Sequence, residues 1–392
     1  MRIFLSCLQS NKRYPVPAYG FWETYFKNSL EEECHDWVEA KEVDWAEGLI
    51  YGEGDVVGLE RWKDRAWTRT LDAIEVQNEV KEVDLFLSYL FPKQIEPSAV
   101  RKIQNLGIPC VNFFCDNVRE LHAIPDSFKC FDLHWVPEFK ATEMYEGAGL
   151  SYVHAPMPCW IPSDQRQCNH NENYGPTFIG SRDALREMLF EKILDQGISV
   201  NLCGAGWKAD EENRDKDPST LFQLWRLPQI LSNQARLLNE VGVRGILNKI
   251  QYRLRRDMQD EKLCEAAYGW ISDEDYTRIT QQSQVTIGVN RYPSLRYPLH
   301  EPDTYSRLRD IEAPMMGACY LTEWTEGLEQ RYRLGKEIET YETAEEMIDK
   351  IQHLRRHPQK RHELRCAGQQ RALQDHTVGS SLNAISSMLG IC

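Results

Sequence analysis

Short apolar runs that stop abruptly and give way to helical stretches restrict this chain to one class of fold. Asp84–Leu90 (DLFLSYL) is apolar at nearly every position. A strand with one wet face alternates polar and apolar residues, so an unbroken run implies a strand covered on both faces, as in a parallel sheet. Arg2–Leu8, Ile108–Phe114, Asp132–Val136 and Tyr152–Ala155 read the same way. Between them, Phe21–Trp37 carries aromatic residues at helical spacing, and Arg61–Val80, Ser98–Leu106 and Phe139–Tyr145 also read as helices. This alternation predicts a doubly wound α/β domain over residues 1–165.

The second half restarts the pattern after a polar stretch, 160–175. That stretch reads as a solvated linker, and its His170, set among asparagines, lacks the spaced partners of a metal site. A predicted strand, Pro176–Ile179, closes on Gly180-Ser181-Arg182, and a helix follows over Asp183–Asp195. The next strand, Ile198–Cys203, closes on Gly204-Ala205-Gly206-Trp207; a third, Val285–Val289, closes on Asn290-Arg291. Helices are expected over Ala344–Arg355, Pro358–Gln374 and Ser380–Leu389. A second α/β domain therefore spans 176–377, with a helical insertion at 208–268, and a C-terminal helix within 378–392 is placed to pack back on the first domain. A length of 392 residues suits two domains.

The net charge of −14 argues against a general affinity for nucleic acid. The 12 cysteines are scattered and form no Cys-x-x-Cys pair; no signal peptide precedes them, so they read as reduced thiols of a cytoplasmic protein. Within the insertion, Arg244–Arg256 (RGILNKIQYRLRR) is basic without an acidic residue, and Ile246, Leu247, Ile250 and Leu254 share a helical face. It reads either as an interfacial helix making peripheral contact with anionic lipid or, the favoured reading, as a packed helix with a solvated basic face.

Chemistry concentrates in the second half, above all in Tyr305–Tyr341. Arg307 and Arg309 lead into Glu312, an apolar helix and a strand-like run, Ala318–Thr322. Charged groups gathered where a helix begins, at the carboxyl end of a parallel sheet, suit a phosphorylated ligand. A carboxylate such as Glu312 can accept from both hydroxyls of a ribose, and arginines can hold a diphosphate through a fork of donors. A structural ion pair between Arg309 and Glu312 or Asp310 remains the plainer alternative. The glycine loops at Gly180 and Gly204 would let backbone approach a phosphate, but neither is a Gly-x-Gly-x-x-Gly fingerprint, and no Gly-x-x-x-x-Gly-Lys-Ser/Thr occurs.

The order and spacing of several segments resemble the CgeB-like branch of the group 1 glycosyltransferases, over roughly residues 176–380. The matching pieces are Phe178-Ile179-Gly180-Ser181 with Arg186, Leu202 through Trp207, Ile287-Gly288-Val289-Asn290, Arg309-Asp310-Ile311-Glu312 through Leu321-Thr322-Glu323, Gly335-Lys336-Glu337 with Tyr341, and His376-Thr377. The resemblance implies the GT-B type, in which two Rossmann-like doubly wound domains face each other across a cleft. It implies transfer of a sugar from a nucleotide diphosphate sugar, metal-independent and retaining, with no cofactor beyond that donor. The donor-binding set is then Gly180, Ser181, Arg182, Gly204, Gly206, Trp207, Asn290, Arg291, Tyr305, Arg307, Arg309 and Glu312. Glu312 matches the ribose-holding glutamate of the wider group; Thr304 stands where that group has a glutamate on the sugar.

The acceptor side is expected on the first domain. Asp116, after Phe113-Phe114-Cys115, is the leading general base or acceptor contact, and His154 at a strand end is the second. Lys12, Arg13 and Tyr19 lie on a loop expected to face the cleft. The acceptor is left open as a carbohydrate, a lipid-linked sugar, a protein or a small molecule. Two other readings stand beside the transferase: a nucleotide-sugar epimerase of the same architecture, drawing on His122, His134 and His154, and a non-catalytic surface-layer assembly protein.

Overall fold

The computed structural model describes residues 1–10, 12, 19–51, 55–168, 171–208, 247, 261–291 and 303–391. They form two compact units, Met1–Pro162 with Ala372–Cys392, and Ser163–Arg371. Each is built on a six-stranded parallel sheet flanked by helices. Among the described residues no helix is long and apolar enough to cross a membrane. The basic segment 244–256 lies outside the described residues apart from Leu247, and Arg13 and His170 lie outside them too.

In the first unit the strands are β1 (Arg2–Ser6), β2 (Asp36–Val38), β3 (Leu85–Tyr89), β4 (Cys110–Phe113), β5 (Leu133–Val136) and β6 (Tyr152–His154), in the order β2-β1-β3-β4-β5-β6. All residues of β1, β3, β4 and β5 are buried, which is why these segments are apolar without alternation. Helix α1 (Tyr19–Glu32) lays Trp22 and Phe26 on the sheet, with Trp22 5.4 Å from Phe113 and Phe26 5.9 Å from Trp135, ring centre to ring centre. The helix expected over Phe21–Trp37 is thus shorter. Cys34 turns into the left-handed region at φ 57°, and Asp36–Val38 pairs with the open edge of β1. Sheet hydrogen bonds outweigh the helical spacing of one aromatic, Trp37. The other helices are α2 (Glu47–Ile50), α3 (Val56–Val80), α4 (Pro97–Asn105), α5 (Asn117–Glu120) and α6 (Thr142–Gly147).

The second unit contains β7 (Thr177–Ile179), α7 (Ala184–Asp195), β8 (Asn201–Cys203), α8 (Glu261–Glu265), β9 (Ala267–Gly269), α9 (Asp273–Gln282), β10 (Thr286–Gly288), α10 (Arg309–Met315), β11 (Tyr320–Glu323), α11 (Leu328–Arg331), β12 (Glu339–Tyr341), α12 (Ala344–Arg356) and α13 (Pro358–Asp375). Its order is β12-β11-β10-β7-β8-β9. The chain leaves β7 for β8 on one side and later enters β10 on the other, so the strand order reverses between β7 and β10. Phe178, Leu202, Ile287 and Leu321, one from each central strand, share a core with Trp207, Met347 and Leu354. The last helix, α14 (Val378–Leu389), belongs to the first unit and packs on α1, β5 and β6. Thr377 caps it, its hydroxyl accepting from the Ser380 amide at 3.1 Å.

The stretch expected to be a solvated linker is instead fastened to the second unit. Glu172 accepts from Arg361 Nε at 2.8 Å and lies 3.6 Å from Arg365. Tyr174 bridges to Ser283, and Cys168 is disulfide-bonded to Cys366 on α13, which corrects the all-thiol reading. Gly317, at φ 77°, lies directly beneath: a Cβ there would overlap the carbonyl of Gln167. An alanine would have to adopt a left-handed backbone and displace the strap. Gly317→Ala is therefore expected to lower stability by about 1–3 kcal/mol, read as a lower urea midpoint at unchanged slope.

Candidate functional site

The carboxyl ends of β7, β8 and β10 converge where the strand order of the second unit reverses, the place at which open α/β sheets take ligands. The loops after β7 and β8 are laced together. The Gly180 amide donates to the Cys203 carbonyl at 2.8 Å, and the Arg182 amide to the Ala205 carbonyl at 2.9 Å. The Trp207 indole N–H donates to the Gly180 carbonyl at 2.7 Å. Gly204 sits at φ 126° with the Gly180 carbonyl where a Cβ would stand, so no side chain fits there. Trp207 is 1% exposed and packs on Phe178 and Phe190; it supports these loops from the core rather than lining a surface.

Guanidinium groups crowd this end of the sheet. Arg186, on the first turn of α7, donates to the Ser181 carbonyl at 2.7 Å and lies over the Phe178 ring. Burial, followed by the repulsion of Arg307 and Arg309 against the attraction of Asp183, lowers its pKa to about 10. Arg307 lies 4.7 Å above the Tyr305 ring, donates to the Arg291 carbonyl at 2.8 Å, and keeps its buried Nε without a hydrogen-bond partner. Arg309 lies 5.1 Å above the Tyr276 ring. Arg182 is engaged differently: its Nε donates to Glu187, and its Nη1 reaches the Gly206 carbonyl at 3.4 Å.

Glu312, in the first turn of α10, is 8% exposed and accepts from the Tyr276 hydroxyl. Tyr276 also packs on Ile179, Cys203 and Ile279, and so ties Glu312 to the loops of β7 and β8. The sequence reading passed over Tyr276 because it passed over α9; a helix with Ser272 as its cap and Asp273, Glu274 and Asp275 in its first turn was legible. Asp273-Glu274-Asp275 has the spelling of an Asp-x-Asp motif, but the Asp275 carboxylate accepts from Arg278, and its amide donates to the Ser272 cap.

The segment before α10 is held by a buried polar network. Asp310, fully buried, accepts from the Tyr320 hydroxyl at 2.9 Å, the Thr322 hydroxyl at 3.0 Å and the Arg307 amide at 2.9 Å. Asn290 donates to the Glu323 carbonyl at 2.8 Å. Glu323 accepts from both the Asn290 and Arg291 amides and forms a buried ion pair with the Arg291 guanidinium. Asn290 and Arg291, expected on the donor, are thus oriented by the carboxylates of Asp310 and Glu323. Thr304 bridges back to Arg291, which places its backbone beside this network.

In the first unit Asp116 follows β4 as the residue before α5, while His154 ends β6, its ring 5.6 Å from Phe139. One strand, β5, separates β4 from β6, so the two candidates follow strands that lie two apart in the sheet. Beyond β5 lies Glu138, which the sequence reading did not single out; its Oε2 accepts from the Asn117 amide at 2.7 Å. His134 is a core residue, 1% exposed, and burial lowers its pKa to about 4, so it is neutral rather than a partner in acid–base work. The Ser10 hydroxyl donates to the Lys12 carbonyl at 2.9 Å, and Tyr19 opens α1.

Comparison with known proteins bears on this arrangement. The model of a family described as glycosyl transferase-like matches residues 182–386. No curated protein shows significant sequence similarity to the chain. Among solved structures, Anabaena Alr3699/HepE, in complex with UDP, aligns over 99% of both chains at 12% identity with a TM-score of 0.53. Sucrose-phosphate synthase (tll1590) from Thermosynechococcus elongatus aligns over 99% of this chain and 98% of its own at 12% identity and a TM-score of 0.52. A glycosyltransferase from Rickettsia africae ESF-5 gives 10% identity, the same coverage and a TM-score of 0.50. The two parallel-sheet units are thus those of the GT-B fold.

Removing Glu323 would leave the Arg291 guanidinium buried without its counter-charge. Glu323→Ala is expected to destabilise the protein by about 3–5 kcal/mol, measured as a shift of the urea unfolding midpoint.

Proposed function

We propose that this chain, which belongs to the glycosyl transferase-like family, transfers a hexose from a uridine diphosphate sugar to an acceptor, with retention at the anomeric carbon and without a metal ion. Within the family we assign it to the CgeB-like branch on the motif order from Phe178 to Thr377. The observation that carries the reading is the crowding of Arg186, Arg307 and Arg309 beside the buried Glu312 at the strand-order reversal. Cations near enough to repel one another are stabilised by an anion set among them. The complexes of Anabaena Alr3699/HepE with UDP and with UDP-glucose support the choice of donor.

Breaking the bond between the sugar and the diphosphate builds negative charge on the leaving oxygens. Fixed guanidinium groups lower the barrier as that charge develops, because they are in place before the reaction begins. Arg307 and Arg309 are assigned to the diphosphate, with Arg186 behind them; Arg182 is partly neutralised by Glu187. Glu312 is assigned to the ribose hydroxyls, with Tyr276 setting its orientation. Asp116 is assigned to the acceptor as general base or contact, with His154 as a second group.

Glu312→Ala is expected to weaken UDP binding by about tenfold or more, which corresponds to about 1.4 kcal/mol. Titration calorimetry with UDP checks this. Unchanged affinity in the variant would remove the ribose role, and absence of UDP binding by the unaltered protein would remove the donor reading.

A further inference from the structure

The first unit holds a buried acid that the chemistry above leaves unused. Glu138 is 1% exposed and lies just beyond β5. Its Oε2 accepts from the backbone amides of Asn117 at 2.7 Å and Val118 at 3.4 Å, while its Oε1 is buried without a hydrogen-bond partner. Those amides belong to the turn that begins with Asp116. Asn117 is fixed in its own right: its side-chain amide donates to the Phe114 carbonyl at 2.7 Å and its oxygen accepts from the Tyr145 hydroxyl at 2.8 Å.

Among the described residues, the titratable groups coupled to Glu138 include Asp116 and Cys115 from the turn after β4, Tyr89 from β3 and Tyr145 from α6. None of these is a cation. A carboxyl group buried among neutral and acidic neighbours keeps its proton.

We propose that Glu138 is a positioning residue for Asp116: it fastens the 116–118 turn through Oε2 and holds a proton, so that Asp116 carries the negative charge of the cluster alone. This rests on the assignment of Asp116 to the acceptor side. Burial first, and the proximity of Asp116 among lesser causes, pushes the Glu138 carboxyl from the usual carboxylate range to about 8, against the lowering effect of the Asn117 and Val118 amides. Between pH 4.5 and about 8 the folded protein binds a proton that the unfolded chain has released, so this group's contribution makes stability fall as pH rises through that window. Above it, two negative charges share the turn.

Carboxyl 13C NMR of protein labelled at Asp and Glu tests this without any substrate. One carboxyl is expected to titrate near pH 8 and to vanish in Glu138→Gln. The Asp116 signal, assigned with Asp116→Asn, should show an inflection over the same range only when Glu138 is present. With UDP-glucose as the probe, donor hydrolysis should fall through that range in the unaltered protein and not in Glu138→Gln. Glu138→Leu, which removes the acceptor for the two amides, should lose up to about a hundredfold in kcat at unchanged KM, and Glu138→Gln should restore most of it. An ordinary acidic titration of Glu138, an Asp116 signal without the inflection, or an alkaline fall that persists in Glu138→Gln would overturn the proposal. If the unaltered protein neither binds UDP nor hydrolyses UDP-glucose, the transfer reading fails, and the carboxyl titrations alone decide the role of Glu138.

Discussion

The buried ion pair between Arg291 and Glu323 is the contact on which the candidate donor site depends. Glu323 ends β11 and Arg291 follows β10, so the pair ties together neighbouring strand ends at the point where the backbone leaves the sheet. Glu323 also accepts two backbone amides, which removes any freedom in how Asn290 and Arg291 leave β10. From there the order passes on: the Arg291 carbonyl takes Arg307, and Asp310 takes the Arg307 amide. A charge pair out of water is justified energetically only when further hydrogen bonds support it, as the two amides on Glu323 do here.

This framework explains a division of labour among the arginines. Arg291 is paired with Glu323 at the end of β11, and Arg182 is partly neutralised by Glu187 on α7. Arg307 and Arg309 lie over the aromatic faces of Tyr305 and Tyr276, contacts that orient a guanidinium.

The first unit is organised by a different balance. Its turn after β4 carries Asp116, and the group holding that turn is itself an acid, Glu138, set among Tyr89, Cys115 and Tyr145. Acidic groups so close together are compatible with burial only if protons remain on most of them. The second unit thus gathers guanidinium groups at the end of its sheet, and the first a buried carboxyl beside an acidic turn.

Much of this was legible in the sequence. Unbroken apolar runs such as Leu85–Tyr89 determined that the sheets are parallel and covered on both faces, because that pattern is incompatible with a wet face. Gly180, Gly204, Arg307, Arg309 and Glu312 announced a polar end to the second sheet through their position after strands or before a helix. Ala267–Gly269 and Glu339–Tyr341 are three-residue strands without an apolar run to mark them, and Asp36–Val38 was hidden inside a helical spacing. Pairwise contacts between residues distant in the chain were beyond reach for the same reason. Only the tertiary structure could decide that Trp207 faces the core, that Arg291 is spent on Glu323, that Tyr276 meets Glu312 and that Cys168 meets Cys366. Residue type and local pattern set which segments form strands and helices; which side chain neutralises which charge depends on strand order, and strand order is a property of the assembled sheet.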